Sequence, residues 1–311
     1  MRVLFMGTPA FAAASLERLI GEKDLEISVV TQTDKPQGRH MTLTPSEVKK
    51  AAAAAALPVY QPERLKDGAF EEELKKIDPE IILVVAYGKI LPEYILNYPK
   101  YGCINLHGSL LPAFRGAAPM QRMIMAGVKE YGLTTMYMEK GLDTGDMLET
   151  WSAPLRDGDD FGVVHDNMAK AGAELLLHTL RLAQKGELHP VKQDDSKATY
   201  APKIEKSDCL LDFSRSAREV HDHIRALSPV PLAYTTLNGK TLKIIKSEIK
   251  DENGKTGVPG DVLSESEKGV CVCCGRGIIR LITLRPEGKG SMSAADFVKG
   301  RGIAPGDHLG E

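Results

Sequence analysis

The stretch Cys103-Ile104-Asn105-Leu106-His107-Gly108-Ser109-Leu110-Leu111-Pro112 reads as a short strand that runs out into a loop stiffened by Gly and Pro. Alternation along the strand puts Asn105 and His107 on one side, at its end. An amide donates through its NH₂, and an imidazole donates or accepts. Two such groups beside an emerging strand can grip a carbonyl oxygen, which marks the stretch as a candidate enzyme site.

Working outward, residues 80–86 carry a nearly continuous apolar run, Ile81-Ile82-Leu83-Val84-Val85, and residues 2–6 and 25–31 read as two further strands. Residues 131–138 and 147–153 add two more. Helices are expected over 11–20, 46–56, 71–76, 120–126 and 160–185. Strands that alternate with helices and are apolar on both faces belong to a mostly parallel α/β sheet with helices on both sides. Ligands of such sheets sit beyond the carboxyl ends of the strands, where Asn105 and His107 fall. The dinucleotide fingerprint is missing, because the first strand leads only to Gly7-Thr8-Pro9. Nicotinamide chemistry is therefore not expected.

Residues 186–206 are polar and read as a connector. Beyond it lie a helix over 216–226 and short strand-like runs at 233–237, 242–249, 269–273 and 278–284. Asn238-Gly239 and Asn253-Gly254 supply turns. Short strands at this spacing suggest a small β-barrel. The expected division is a catalytic domain over 1–189, a linker over 190–207 and a barrel domain over 208–311.

A chain of 311 residues suits two domains, and 42% hydrophobic content suits folded ones. The net charge of −2 does not advertise a nucleic-acid binder. Residues 208–311 hold fifteen Lys and Arg against fourteen Asp and Glu, so any basic surface there must arise on folding. Five cysteines argue against a disulfide scaffold and fit a reducing compartment. The N-terminal apolar run is too short for a signal peptide or a membrane span, so a cytoplasmic location without membrane attachment is expected.

A second candidate element is Lys140-Gly141-Leu142-Asp143-Thr144-Gly145-Asp146. Asp and Gly make good turns, and that reading alone accounts for the composition. If the loop folds over the strand end, Asp143 can reach His107, fix its ring and help manage a proton. Spacing alone leaves both readings open. Cys271, Cys273 and Cys274 lack paired zinc-ligand spacing and read better as a barrel strand, and no metal is expected. Nothing marks a Ser or Cys as an activated nucleophile.

Several segments resemble the methionyl-tRNA formyltransferase family over essentially the whole chain. They include Val3-Leu4-Phe5-Met6-Gly7-Thr8-Pro9, Asp34-Lys35-Pro36-Gln37-Gly38-Arg39, Asn105 to Pro112 as quoted, and Arg115-Gly116-Ala117-Ala118-Pro119. Leu142-Asp143-Thr144-Gly145-Asp146, Tyr200-Ala201-Pro202-Lys203-Ile204 and Gly306-Asp307-His308-Leu309-Gly310 continue the match. The resemblance implies a Rossmann-like catalytic domain followed by an OB-like β-barrel. It implies formyl transfer from 10-formyltetrahydrofolate, a cosubstrate, to the α-amino group of methionine on initiator methionyl-tRNA. Direct amine attack is implied, with no covalent enzyme intermediate.

By the same resemblance, Asn105, His107 and Asp143 are the catalytic trio. The folate would be held by Val84, Val85, Ala86, Tyr87, Gly88 and Leu91 and by Leu142, with Ser109, Leu110, Leu111 and Pro112 shaping the substrate side. The loop over 33–45 corresponds to an insertion that enters the acceptor-stem end, with Arg39 at the first base pair and Lys35 and Lys49 at phosphates. Lys240, Lys243, Lys246, Arg280 and Arg285 would meet the tRNA backbone from the barrel. A monomer without an obligate protein partner is expected. Two departures stand out: His40-Met41-Thr42 makes the loop less basic than in relatives, and Leu232 stands where they carry Gly. A nucleotide-sugar formyltransferase and a non-catalytic RNA-binding module are the alternatives.

Overall fold

The computed structural model describes residues 1–37, 41–254 and 257–310. The chain divides into two compact units that interleave in sequence. Residues 1–116, 131–153 and 165–200 form the first, and 117–130, 154–164 and 201–311 the second.

The first unit is built on a seven-stranded sheet. Its order is Met147–Pro154, Glu130–Tyr137, Cys103–His107, Ile81–Val85, Arg2–Gly7, Glu26–Val30 and Val59–Tyr60. The five strands from Cys103–His107 to Val59–Tyr60 run parallel, and Glu130–Tyr137 pairs antiparallel to Cys103–His107. The sheet is thus Rossmann-like and mostly parallel. The apolar run Ile81–Val85 is buried at every position and lies between Cys103–His107 and Arg2–Gly7, in the middle of the sheet. Leu4, Met6, Ile82 and Val84 pack with Phe70, Leu74 and Ile95 on one face. Val3, Phe5, Val29 and Leu83 alternate with them and are equally buried, so both faces are covered. Helix Phe161–Lys185 presses close, because a Cβ on Gly172 would come within 2.8 Å of Leu106 Cδ2.

The segment over 33–45 is not a plain loop. Lys35–Gln37 pairs antiparallel with Thr42–Thr44 as a small hairpin stem. The edge strand Val59–Tyr60 and the short helix Glu93–Leu96 are likewise additions to the sequence reading.

The second unit carries an antiparallel sheet in the order Ala233–Leu237, Lys240–Asp251, Ile278–Pro286, Gly269–Cys273 and Val262–Ser266, with Met292–Ser293 added to Ile278–Pro286. This is the OB-like domain. Its core joins Leu242, Ile244, Val270, Val272, Ile279 and Leu281 to Val220, Ile224 and Leu227 of helix Ala217–Leu227. That helix starts at a capping box, in which Ser216 and Glu219 satisfy each other's free backbone donors. All five cysteines are unpaired and buried, and Cys271 and Cys273 lie in a strand as their pattern suggested. Leu232 is buried with a left-handed backbone (φ 78°), a conformation that suits Gly and costs Leu about 1 kcal/mol or more. The departure at this position therefore strains the backbone locally while filling the core.

Candidate active site

Strand Cys103–His107 ends the parallel part of the sheet. Asn105 pairs with Val84 on one side and Met136 on the other, and His107 lies opposite Thr134. His107 is 5% exposed, and its Nε2 donates to the Phe114 carbonyl at 3.0 Å. A carbonyl can only accept, so Nε2 carries a hydrogen. Nδ1 is left facing Asp143 Oδ2 at 3.6 Å. That separation is longer than a hydrogen bond, so a proton on Nδ1 is attracted by the carboxylate without being locked to it. The two donors read as equivalents in the sequence are thus unlike in the structure. Asn105 is half-buried on the strand, whereas the His107 ring is held through Nε2 with Nδ1 turned toward Asp143.

The loop carrying Asp143 is tied down at several points. Asp143 Oδ2 accepts from the Gly116 N–H at 2.8 Å. Gln193 Nε2 donates to the carbonyls of Asp143 (2.8 Å) and Gly145 (2.7 Å). The loop closes where the Tyr137 N–H donates to the Asp146 carbonyl at 2.9 Å. A Cβ on Gly145 would lie 1.9 Å from the Tyr137 carbonyl oxygen, so only Gly fits there. Asp143 itself has a left-handed backbone (φ 53°), as do Phe114 (φ 58°) and Ala86 (φ 45°). Non-glycine residues in this region cost of order 1–3 kcal/mol each and concentrate at functional sites.

The loop leaving His107 is braced from within. Ser109 Oγ donates to the Ala113 carbonyl at 2.6 Å, and Thr134 Oγ1 donates to the Ser109 carbonyl at 2.8 Å while accepting from the Leu111 N–H at 3.1 Å. Ser109 and Leu111 are buried. Leu110 covers Gly132, where a Cβ would meet its Cδ2 at 2.6 Å. These residues shape the loop rather than offer polar groups to a ligand, and Pro112 is half-buried beside them.

Along the neighbouring strand end, Val84, Val85, Tyr87 and Leu91 have buried side chains. Of the expected folate contacts here, Ala86 and Gly88 are exposed. The Tyr87 carbonyl already accepts from Gln32 Nε2 (2.8 Å) and Thr8 Oγ1 (3.1 Å). A flat heterocycle with donor and acceptor edges would therefore meet the backbone of Ala86 and Gly88. Lys140 Nζ reaches Glu93 Oε1 at 3.1 Å, which brings the loop of Asp143 beside the helix that follows this segment. Leu142, 59% exposed, gives that loop an apolar face toward solvent. The residues present fit a folate: exposed backbone, an apolar flank and a carbonyl-gripping pair at one sheet end.

The expected cations divide into two groups. Lys49 Nζ is held by both oxygens of Asp34 (2.9 and 2.8 Å), which keeps that carboxyl below its ordinary range, with a Gln61 hydrogen bond helping. Arg280 is largely covered and paired with Glu248 across the sheet. Both of these expected phosphate contacts are held by a carboxylate within the fold. Lys35 donates to Gln32 Oε1 at 2.6 Å but stays exposed. Lys240 and Lys246 are exposed, and Lys243 stands directly opposite Arg285 on the paired strand. Arg39 lies outside the described residues.

Sequence reasoning missed Gln193, Gln32, Gln61 and Thr134. None sits in a spacing that signals chemistry, and Gln193 lies in a polar segment read as a connector.

Known proteins resemble this arrangement throughout. The family described as "Formyl transferase" matches residues 1–180, and "Formyl transferase, C-terminal domain" matches 203–302. The methionyl-tRNA formyltransferase of Caldanaerobacter subterraneus subsp. tengcongensis is 46% identical, over 99% of this chain and all of its own length. That of Citrifermentans bemidjiense is 43% identical over the whole chain and 97% of its own length. A solved N-formyltransferase from Helicobacter canadensis shares the fold at TM-score 0.68 and 19% identity, covering 90% of this chain and 99% of its own. Full-length identity above two-fifths, carried through both units, is decisive: the chain is a formyltransferase and belongs to the methionyl-tRNA formyltransferase family.

Proposed function

We propose that this enzyme moves a formyl group from 10-formyltetrahydrofolate to the α-amino group of methionine on initiator methionyl-tRNA, with Asn105, His107 and Asp143 as the catalytic groups. The observation that carries the reading is the approach of His107 Nδ1 to Asp143 Oδ2 at the carboxyl end of the sheet. As the neutral amine nitrogen bonds to the formyl carbon, the carbonyl electron pair moves onto oxygen. Asn105 NH₂ donates to that oxygen, and His107, whose hydrogen starts on Nε2, becomes a second donor through Nδ1 once that nitrogen has taken the amine's proton. One such donor is worth about 3–4 kcal/mol of barrier. The His107–Asp143 pair takes the proton lost by the amine and returns it to the folate nitrogen as its bond to the formyl carbon breaks. Charge is conserved in each step, and the protein forms no covalent bond.

The acceptor is read from the surface. Lys243 and Arg285 face each other across the sheet, and like charges in that position destabilise a fold unless something negative covers them. Neither forms an ion pair with a described residue. A phosphate backbone suits them, along with Lys240 and Lys246. Lys35 and Arg39 are assigned to the acceptor-stem end, and residues 208–311 to backbone contacts. The enzyme is read as a cytoplasmic monomer with no obligate protein partner. Among the described residues, no helix is long and apolar enough to cross a membrane.

The test is formylation by purified enzyme with initiator methionyl-tRNA, elongator methionyl-tRNA and a dTDP-amino sugar offered separately. Turnover with the initiator species alone is expected. Turnover with the sugar alone would establish the nucleotide-sugar reading instead.

A further inference from the structure

Gln193 follows the long helix in a stretch of polar, exposed residues, yet it is 5% exposed. Its amide is used to capacity. Both hydrogens of the NH₂ go to the carbonyls of Asp143 and Gly145, at 2.8 and 2.7 Å. Its Oε1 accepts from Arg115 Nε at 3.0 Å and Nη2 at 2.8 Å. A flipped amide would aim NH₂ at the guanidinium and its oxygen at two carbonyls, so Arg115 fixes the orientation. Arg115 is in turn held by Asp195 Oδ1 at 2.8 Å.

The next residue in the chain after Arg115 is Gly116, whose N–H holds Asp143 Oδ2 at 2.8 Å. One dipeptide therefore holds Asp143 twice, through its carboxylate directly and through its carbonyl by way of Gln193. This matters because Asp143 has a left-handed backbone, and a small rotation there would swing its carboxylate away from His107.

We propose that Gln193, oriented by Arg115, is a positioning residue for the reaction: it holds the main chain of Asp143 so that the carboxylate stays in reach of His107 Nδ1. The assignment rests on the reading of Asp143 as the group that manages the proton. It adds a requirement for an amide at 193, because only a side chain with two donors and an acceptor meets these partners.

The experiment compares Gln193→Glu and Gln193→Met, each alone and combined with Asp143→Asn. Glu keeps the size and the Arg115 contacts but turns an oxygen toward the two carbonyls. Met keeps the volume and removes every hydrogen bond, so it carries the test if the Glu variant does not fold. Either substitution should lower kcat about 10- to 100-fold, the scale expected for a displacement near 1 Å, with KM for both substrates changed less than about threefold. The pH profile of kcat should move as well. In the Asp143→Asn background the same substitutions should cost almost nothing further. Folded variants with wild-type kcat would overturn the proposal, as would losses that multiply fully with Asp143→Asn. An Asp143→Asn enzyme as active as wild type would instead overturn the reading of Asp143, and the role of Gln193 with it.

Discussion

The loops over 140–146 and 33–45 are both polar, Gly-containing stretches of the first unit, and they are anchored in opposite ways. The first turns its contacts inward. Gln193, Gly116 and the strand Glu130–Tyr137 hold Asp143, Gly145 and Asp146, and the Asp143 carboxylate lies 3.6 Å from a buried ring. Among the described residues, the second holds its side-chain contacts mainly at its base. Lys49 and Gln61 hold Asp34, Lys35 reaches Gln32, and Met41 and the stem residue Leu43 turn outward, each 67% exposed. A loop that does chemistry must be preorganised before substrate arrives. A loop that recognises a large partner keeps its contacts for that partner. Among the described residues, inward contacts thus gather at the loop proposed for the chemistry more than at the loop proposed for the acceptor.

The sharpest way to break this contrast is Asp143→Asn, which keeps the shape and removes the charge. Formylation kcat should fall about 100- to 10,000-fold, with KM for tRNA little changed. A rise in KM at constant kcat would make the loop a binding element. Next is Arg39→Ala, for which the contrast predicts the reverse pattern. Its kcat/KM for tRNA should fall about 10- to 100-fold, the loss of one charged hydrogen-bonded contact. Folate KM should not move, and a fall in kcat with elongator and initiator tRNA alike would count against a recognition role.

A smaller effect separates the cations of the second unit. Lys243→Ala and Arg285→Ala should each reduce the salt dependence of tRNA binding by a slope of about one, whereas Arg280→Ala should leave it intact and lower stability. Equal slopes for all three would erase the distinction between free and structural cations.

The smallest effect concerns pH. His221 and His223 are held below their ordinary pKa by burial, their rings bonded to Ser247 and Asp157 and to Asp208. Unfolding exposes them to water, where they bind protons near pH 6.5. The unfolded state then holds more protons than the native one, so stability is full above about pH 6.5 and falls as pH drops below it. Thermal midpoints should decline over that window, and less so in a His221→Gln variant. A flat response would contradict the buried, neutral state.

Most of the sheet could be read from the chain because its strands are long apolar runs. Val59–Tyr60 could not, since two residues carry no periodicity, and it exists because Val29 and Val30 offer it an edge. Lys240–Asp251 extends past its expected end because bulges near Lys246 and Ile249 break the alternation. Val262–Ser266 ends in Ser-Glu-Ser and is not among the strand-like runs read from the chain, yet it pairs with Gly269–Cys273. At the site, His107 and Asp143 carry functional groups that announce themselves. What holds them does not: Gln193 lies fifty residues from Asp143, and only the fold brings its amide there. The different settings of Asn105 and His107 were equally hidden, because they depend on a hydrogen bond to the Phe114 carbonyl.

The central claim is that the His107–Asp143 pair performs the chemistry and does not hold the tRNA. It is tested most directly by single-turnover formylation with His107→Ala at saturating folate and initiator methionyl-tRNA, alongside tRNA affinity measured without turnover. The account predicts a rate at least about 100-fold lower with affinity within about threefold of wild type. Equal losses in rate and affinity, or a rate near wild type, would contradict it.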